Sequence, residues 1–266
     1  MEPVYGQAPS REFTRALRGD AACNEMTPKL TVETFAANVA RALGERLVAL
    51  LLYGSWARGT HVPGRSDMNT LLICDAVDES LFETLAPAIR DWTRAGQPAP
   101  LILTEREWRE SADAFPIEYQ DMRDAYRLLA GRDPWTGIEV DRGQLRRQLE
   151  HELMGKLVRL RQAYAALHAD PKQLARVIVG SAGGFFTMLR AVLRFAGRPA
   201  PASPAELVRS AAALIGFPAE GLAPLVHHAM GGPMPRLAKG DPLAAAYLGA
   251  VARTAEYVNR LDIERG

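Results

Sequence analysis

The spacing of apolar residues alternates along the first half of the chain between the period of helices and that of strands. Apolar residues recur at helical spacing in residues 31–47 and 80–96. Continuous apolar runs of strand length lie at residues 47–53, 70–74 and 99–103. Helices that alternate with short strands are typical of a domain in which helices cover a sheet. The pattern therefore predicts an α+β domain with a mixed sheet and flanking helices.

Local signals after the third strand predict the remainder of this domain. Thr104, followed three residues later by Glu107, has the pattern of a capping box at the start of a helix. Gly131 follows a further helical pattern and is placed to end it as a C-cap. The predicted elements are helices from residue 104 to about 113 and over 119–129, and a strand over 136–140.

Strand signals end near residue 141, and helical spacing continues from there. One apolar stripe marks a helix that begins near Gly143, and its members are Leu145, Leu149, Leu153, Leu157, Leu160, Tyr164 and Leu167. Further helices are predicted at residues 171–196, 204–215, 222–230 and 244–261. The sequence thus predicts an N-terminal segment at residues 1–26, a mixed domain at 27–140 and an all-α helical bundle at 141–266.

Composition and charge restrict the class of protein. The 266 residues are 48% hydrophobic and 24% charged, which is ordinary for a globular protein with a substantial core. A net charge of +1 argues against a wide nucleic-acid footprint. Two cysteines, Cys23 and Cys74, provide no disulfide framework or metal cluster. There is no uninterrupted apolar run of membrane-spanning length and no signal-peptide pattern, so we expect a cytoplasmic protein without a membrane span.

The segment between the first two strands carries the clearest chemical signal. Gly54 can adopt backbone angles that other residues avoid, and Ser55 can cap a short helix that begins at Trp56. The unpaired N–H groups at such a helix start attract phosphates. After a loop rich in Gly and Pro, Asp67 and Asn69 stand about 7 Å apart on one face of the second strand. The sequence therefore predicts a phosphate cradle that faces metal-type oxygen ligands.

These residues resemble the nucleotidyltransferase superfamily of the polymerase-beta type. Gly-Ser after an apolar strand, followed by Asp-x-Asp on the next strand, is the pattern of its small bacterial members, which include aminoglycoside and kanamycin nucleotidyltransferases. The matching residues are Gly54, Ser55, Arg58, Gly59, Ser66 and Asp67, and Asn69 occupies the position of the second Asp. The end of the mixed domain, Leu-Leu-x-Gly-x-Asp-Pro, is also similar to a turn in these transferases.

The resemblance implies a nucleotide site with metal ions. Gly54, Ser55, Arg58 and Ser66 would hold the phosphates of a nucleoside triphosphate, and Asp67 with Asn69 would bind Mg²⁺. Nucleotidyl transfer in this superfamily uses two Mg²⁺ ions, which are typically about 3.5–4 Å apart. The superfamily usually supplies a third carboxylate from a neighbouring strand, but residues 99–103 contain no acid. Because Asn69 is also uncharged, we expect Mg²⁺ to bind weakly or at a single site.

Two functions remain open at this point. In the first, the chain transfers a nucleoside monophosphate to a hydroxyl of a small molecule, a protein or RNA. The helical domains of kanamycin-type relatives supply a general base, and Glu150 or Glu152 could serve here, although a solvated helix face explains both residues as well. In the second, a degenerate member binds a nucleotide or a partner without turnover, as an antitoxin or regulatory module would. A homodimer is compatible with either function.

Overall fold

The described part of the chain, residues 30–261 of the computed structural model, forms two compact units. The first unit consists of the described residues up to Ala112 together with Met122–Glu139. The second consists of Asp113–Asp121 and the described residues from Val140 onward. The predicted N-terminal segment at residues 1–26 and Cys23 lie outside the described residues.

The first unit is a mixed sheet with helices. Its elements, in chain order, are α1 (Val32–Leu43), β1 (Leu47–Tyr53), β2 (Asn69–Cys74), α2 (Glu79–Arg94), β3 (Leu101–Thr104), α3 (Glu105–Glu110) and β4 (Tyr126–Gly131). The strands lie in the order β3-β2-β1-β4. β1 is antiparallel to both of its neighbours, and β3 is parallel to β2. The predicted α+β class with a mixed sheet is confirmed.

Helices α1 and α2 cover one face of this sheet. Phe35 of α1 and Trp92 of α2 stack with their ring centroids 4.3 Å apart. Leu50 of β1 and Leu72 of β2 are fully buried in the same cluster. The side chain of Thr31 caps α1, as its position in the sequence predicts. Because the apolar residues of β1 and β2 are buried, the pairing register of the two strands is strongly fixed.

The last strand of the sheet differs from the sequence prediction. The spacing of residues 119–129 predicts one helix, but the helix there, α4 (Pro116–Asp124), ends before β4 begins at Tyr126. No strand forms at residues 136–140, and β4 occupies the sheet edge beside β1. A short apolar run fits either period, so pairing with β1 decides its conformation.

Gly131 ends this strand and does not cap a helix. Its φ is +83°, and a side-chain carbon at this position would overlap the carbonyl oxygen of Val48 in β1. The next N–H group, that of Arg132, donates to the same Val48 oxygen at 2.9 Å. Glycine is required because β4 approaches β1 closely in a left-handed conformation. The predicted role of Gly131 as a helix cap is therefore wrong.

The second unit is helical in its described residues. After the first residues of α4, its helices are α5 (Arg142–Leu167), α6 (Pro171–Phe195), α7 (Pro204–Ile215), α8 (Ala223–Ala229) and α9 (Pro242–Asn259). The five leucines of the predicted stripe on α5, from Leu145 to Leu160, are buried, and Tyr164 and Leu167 pack against the same core. The small residues 180–184 lie within α6.

Helix α6 is long and apolar enough to cross a membrane by length and composition alone. Within the described residues it is the single helix with this property, and 56% of its apolar window is buried inside the fold. The core helix of a soluble protein has the same character. Phe185 and Leu189 of α6, which are fully buried, belong to the core of the second unit. The burial of α6 therefore agrees with a soluble protein.

Candidate functional site

The turn after β1 positions the residues expected to bind phosphate. Gly54 has a φ of +78°. The N–H of Arg58 donates to the Gly54 carbonyl at 3.0 Å, and the N–H of Thr60 donates to the Ser55 carbonyl at 2.9 Å. These bonds form a single turn and not the short helix that the sequence predicts. Gly59, with a φ of +73°, reverses the backbone before a second turn can form.

Several donors at this turn are not used by the fold. Among the described residues, the N–H groups of Ser55, Trp56 and Ala57 make no backbone hydrogen bond. The Ser55 side chain likewise has no hydrogen-bond partner in the part of the chain that the structure describes, so it does not cap the turn. Consecutive N–H groups at the start of a helical turn form an anion-binding concavity. The turn can therefore accept a phosphate.

The pairing of β1 with β2 brings Asn69 next to this turn. Asn69 lies opposite Tyr53, the residue before Gly54. The amide nitrogen of the Asn69 side chain is 3.4 Å from the point where a side-chain carbon of Gly54 would lie. Asn69 is half-buried, and its carboxamide has no hydrogen-bond partner among the described residues. The amide is thus available to a ligand that binds at the turn.

Asp67 and Ser66 lie in the loop just before β2. Asp67 is exposed and forms no ion pair within residues 30–261. The Ser66 hydroxyl accepts a hydrogen bond from the Val62 N–H at 2.8 Å. Ser66, for which the resemblance implies a role in nucleotide binding, therefore stabilises its own loop, and its hydroxyl hydrogen can still be donated.

An aromatic pair that the sequence did not indicate fixes the shape of the loop. The indole N–H of Trp56 donates to the carbonyl of Ser66 at 3.0 Å. The Trp56 ring stacks on His61 with the ring centroids 3.6 Å apart and the planes 10° from parallel. These contacts join the two ends of the loop between β1 and β2. They connect residues that are five and ten positions apart in an irregular segment, for which no sequence periodicity exists.

The residues beside β2 on β3 do not supply the missing carboxylates of a two-magnesium centre. The residues that lead into β3, residues 97–100, contain no acid, and Gln97 accepts a hydrogen bond from the Met68 N–H at 3.0 Å. Glu105, just after β3, follows Thr104, which pairs with Cys74 at the other end of β2, and it forms ion pairs with Arg109 at 3.0 Å and with Arg132 at 2.6 Å. Hydrogen bonds from these two arginines, that from Arg109 first, lower the pKa of Glu105.

The rest of the described chain offers no alternative set of metal ligands. No group of three or more His, Cys, Asp or Glu side chains in residues 30–261 could hold a metal ion. Two Mg²⁺ ions carry four positive charges and prefer hard, anionic oxygen ligands. Asp67 supplies one carboxylate and Asn69 supplies none. The residues present therefore do not fit the pair of metal ions that nucleotidyl transfer normally requires.

The second unit contains the other predicted candidate, Glu152 of α5. Its neighbour in the prediction, Glu150, forms an ion pair with Arg146 at 3.6 Å on the same helix. The carboxylate of Glu118 in α4 accepts a hydrogen bond from the Gln148 side chain at 3.0 Å. Burial raises the pKa of Glu118, and the negative charge of Glu152 raises it further, whereas the hydrogen bond from Gln148 lowers it. Glu118 and Glu152 are therefore electrostatically coupled within this unit.

Comparison with known proteins adds no assignment. The chain matches no protein-family model and no curated protein. The class that the fold defines is an α+β protein with a four-stranded mixed sheet and a helical second unit.

Proposed function

We propose that this chain is a nucleotidyltransferase-like protein of the polymerase-beta type that binds a nucleoside triphosphate at the turn after β1. The observation that carries the proposal is the β1–β2 pairing, which sets Asn69 beside the Gly54 turn and its free N–H groups. In the resembling family, the corresponding Gly-Ser turn and strand hold the triphosphate. The Gly54 turn and Ser55 would bind the β- and γ-phosphates, and Arg58 would add positive charge.

Nucleotide binding without efficient turnover is the function that the site supports best. One exposed carboxylate, Asp67, cannot replace the three that the family uses to position two metal ions. Such a protein would act as a regulatory or antitoxin-like module whose partner binding responds to the nucleotide. We place it in the cytoplasm as part of this proposal, since nucleoside triphosphates are abundant there and residues of α6 pack in the core of the second unit.

Nucleotidyl transfer to a hydroxyl of a small molecule, a protein or RNA is the second candidate. The observation in its favour is the coupled pair of carboxyl groups in the second unit, Glu118 and Glu152. A carboxyl group with a raised pKa suits general-base catalysis near neutral pH. The raised pKa is that of Glu118. The resemblance to kanamycin-type enzymes implies that the neighbouring Glu152 would take the proton of the acceptor hydroxyl.

A binding and turnover experiment separates these candidates. The full chain is incubated with each labelled nucleoside triphosphate and Mg²⁺ or Mn²⁺, and both thermal stabilisation and pyrophosphate release are measured. We expect stabilisation without pyrophosphate release. Ser55→Ala should weaken binding about fivefold, since a hydrogen bond contributes about 1 kcal/mol. Ser203→Ala, which removes a helix-start hydroxyl that makes no capping bond, is the matched control. Absence of binding by every nucleotide would refute the proposal, and pyrophosphate release would establish the second candidate.

A further inference from the structure

Asn69 differs from the residue expected at its position in charge and in hydrogen-bonding capacity. A carboxylate can only accept hydrogen bonds, whereas a carboxamide carries two N–H donors. The donor end of Asn69 is the end that lies against Gly54, with its nitrogen 3.4 Å from the position of a glycine side-chain carbon. The fold uses neither end of this half-buried amide among the described residues. An amide held in this orientation offers a hydrogen bond to an acceptor on a ligand that binds at the Gly54 turn.

Asp67, in the loop before β2, is the exposed carboxylate closest to Asn69 in the sequence. Asp75 and Asp78 follow the other end of β2, and both form ion pairs with Arg46. Glu105 follows Thr104, which pairs with Cys74 at that same far end, and it is paired with two arginines. The loop before β2 therefore offers one exposed carboxylate to a cation. A triphosphate, in contrast, finds the Asn69 amide and the Ser55 hydroxyl as neutral donors.

We propose that Asn69 donates a hydrogen bond to a phosphate oxygen and that the site binds the triphosphate as a metal-free anion. This inference rests on the proposed nucleotide-binding function and specifies the chemical form of its ligand. Asp at position 69 would set a negative charge beside the phosphate, and a divalent cation would then be needed to bridge the two groups. Asn69 removes that requirement, so phosphate affinity does not depend on Mg²⁺.

Isothermal titration with ATP and with inorganic triphosphate, each in EDTA and in excess Mg²⁺, tests the proposal. Wild-type affinities in the two conditions should agree within about threefold, because no carboxylate pair links the metal to the protein. Asn69→Asp should lower the affinity in EDTA by about tenfold or more, since like charges repel at close range. The same variant should recover affinity when Mg²⁺ is added. Asn259→Asp, the same substitution at an exposed helix end, should leave all four affinities unchanged.

A second variant keeps the test decisive if Asn69→Asp does not fold. Asp67→Asn removes the one exposed acid, and the affinity in EDTA should stay the same or rise. Binding of these ligands by the wild type only in the presence of Mg²⁺ would overturn the metal-free inference, and so would loss of binding in Asp67→Asn. In both cases the wild type would still bind the nucleotide, so the proposed function would stand. If wild type bound neither ligand in either condition, the proposed function itself would fail.

Discussion

Lys156 of α5 is a buried cation in the core of the second unit, and its replacement by methionine should stabilise the protein. The side chain is 9% exposed, and its ammonium donates to the backbone carbonyl of Ser181 at 3.0 Å. Burial, with a smaller contribution from the charge of Arg159, lowers the pKa of Lys156 from 10.5 to about 8, while Glu152 acts in the opposite direction. Methionine is unbranched and flexible, so it can follow the path of the lysine chain.

The size of the effect follows from the two pKa values. Each pH unit between them corresponds to about 1.4 kcal/mol, so a charged Lys156 destabilises the folded state by roughly 3 kcal/mol at neutral pH. Lys156→Met removes this cost but also loses a hydrogen bond of about 1 kcal/mol, which leaves a net gain of about 2 kcal/mol. Between about pH 8 and pH 10.5 the unfolded lysine is protonated and the folded one is not. The contribution of Lys156 to the free energy of unfolding of the wild type therefore rises with pH between these two values.

Urea unfolding followed by helical circular dichroism measures both consequences. At pH 7 the variant should be more stable than wild type, and by pH 10 the difference should fall close to zero because the wild-type lysine no longer needs to be charged. Lys172→Met on α6, where the lysine is exposed, is the matched control and should change stability little at either pH. A destabilised Lys156→Met at pH 7, or the same pH dependence in variant and wild type, would refute the reasoning.

Two further substitutions test the fold at single positions. Burial raises the pKa of Glu118 in the folded state. The contribution of Glu118 to the stability of the protein is therefore greatest below the pKa that it has in the unfolded chain, and this contribution is lost as the pH rises through the higher pKa of the folded state. Glu118→Gln should therefore raise the melting temperature at pH 7 and not at pH 4, and equal changes at both pH values would contradict this. Gly131→Ala should lower the free energy of unfolding, measured in urea, by more than about 2 kcal/mol. The alanine would have both a left-handed φ and a side-chain carbon that overlaps Val48. Gly240→Ala, which has a φ of +77° and no nearby atom, should cost only about 1 kcal/mol.

The sequence predicts the elements whose signals are local. The capping box of α3 is present, with the Thr104 hydroxyl accepting from the Glu107 N–H and the Glu107 carboxylate accepting in return. The leucine stripe of α5 is buried because its period matches a helix over several turns. β1 begins and ends where its apolar run does. In each case, the signal lies in the residue types and their spacing within a single element.

The features that the sequence did not predict depend on contacts between distant residues. β4 is a strand because β1 has an open edge, and its own residues do not determine that outcome. Trp56 fixes the site loop through a hydrogen bond to Ser66, across an irregular segment. Glu118 acquires its raised pKa from burial and from Glu152, which is 34 positions away in the sequence. Such features can be read only after the chain has folded.

The position of Asn69 separates the fold of the candidate site from its chemistry. The register of β2 against β1 is fixed by buried residues such as Leu50 and Leu72, so residue 69 lies beside Gly54 whichever side chain it carries. A change between Asp and Asn there alters charge and hydrogen bonding without altering the sheet. Under the proposed function, the strand–turn–strand frame sets where a phosphate binds, and the charge of residue 69 sets whether a metal ion binds with it.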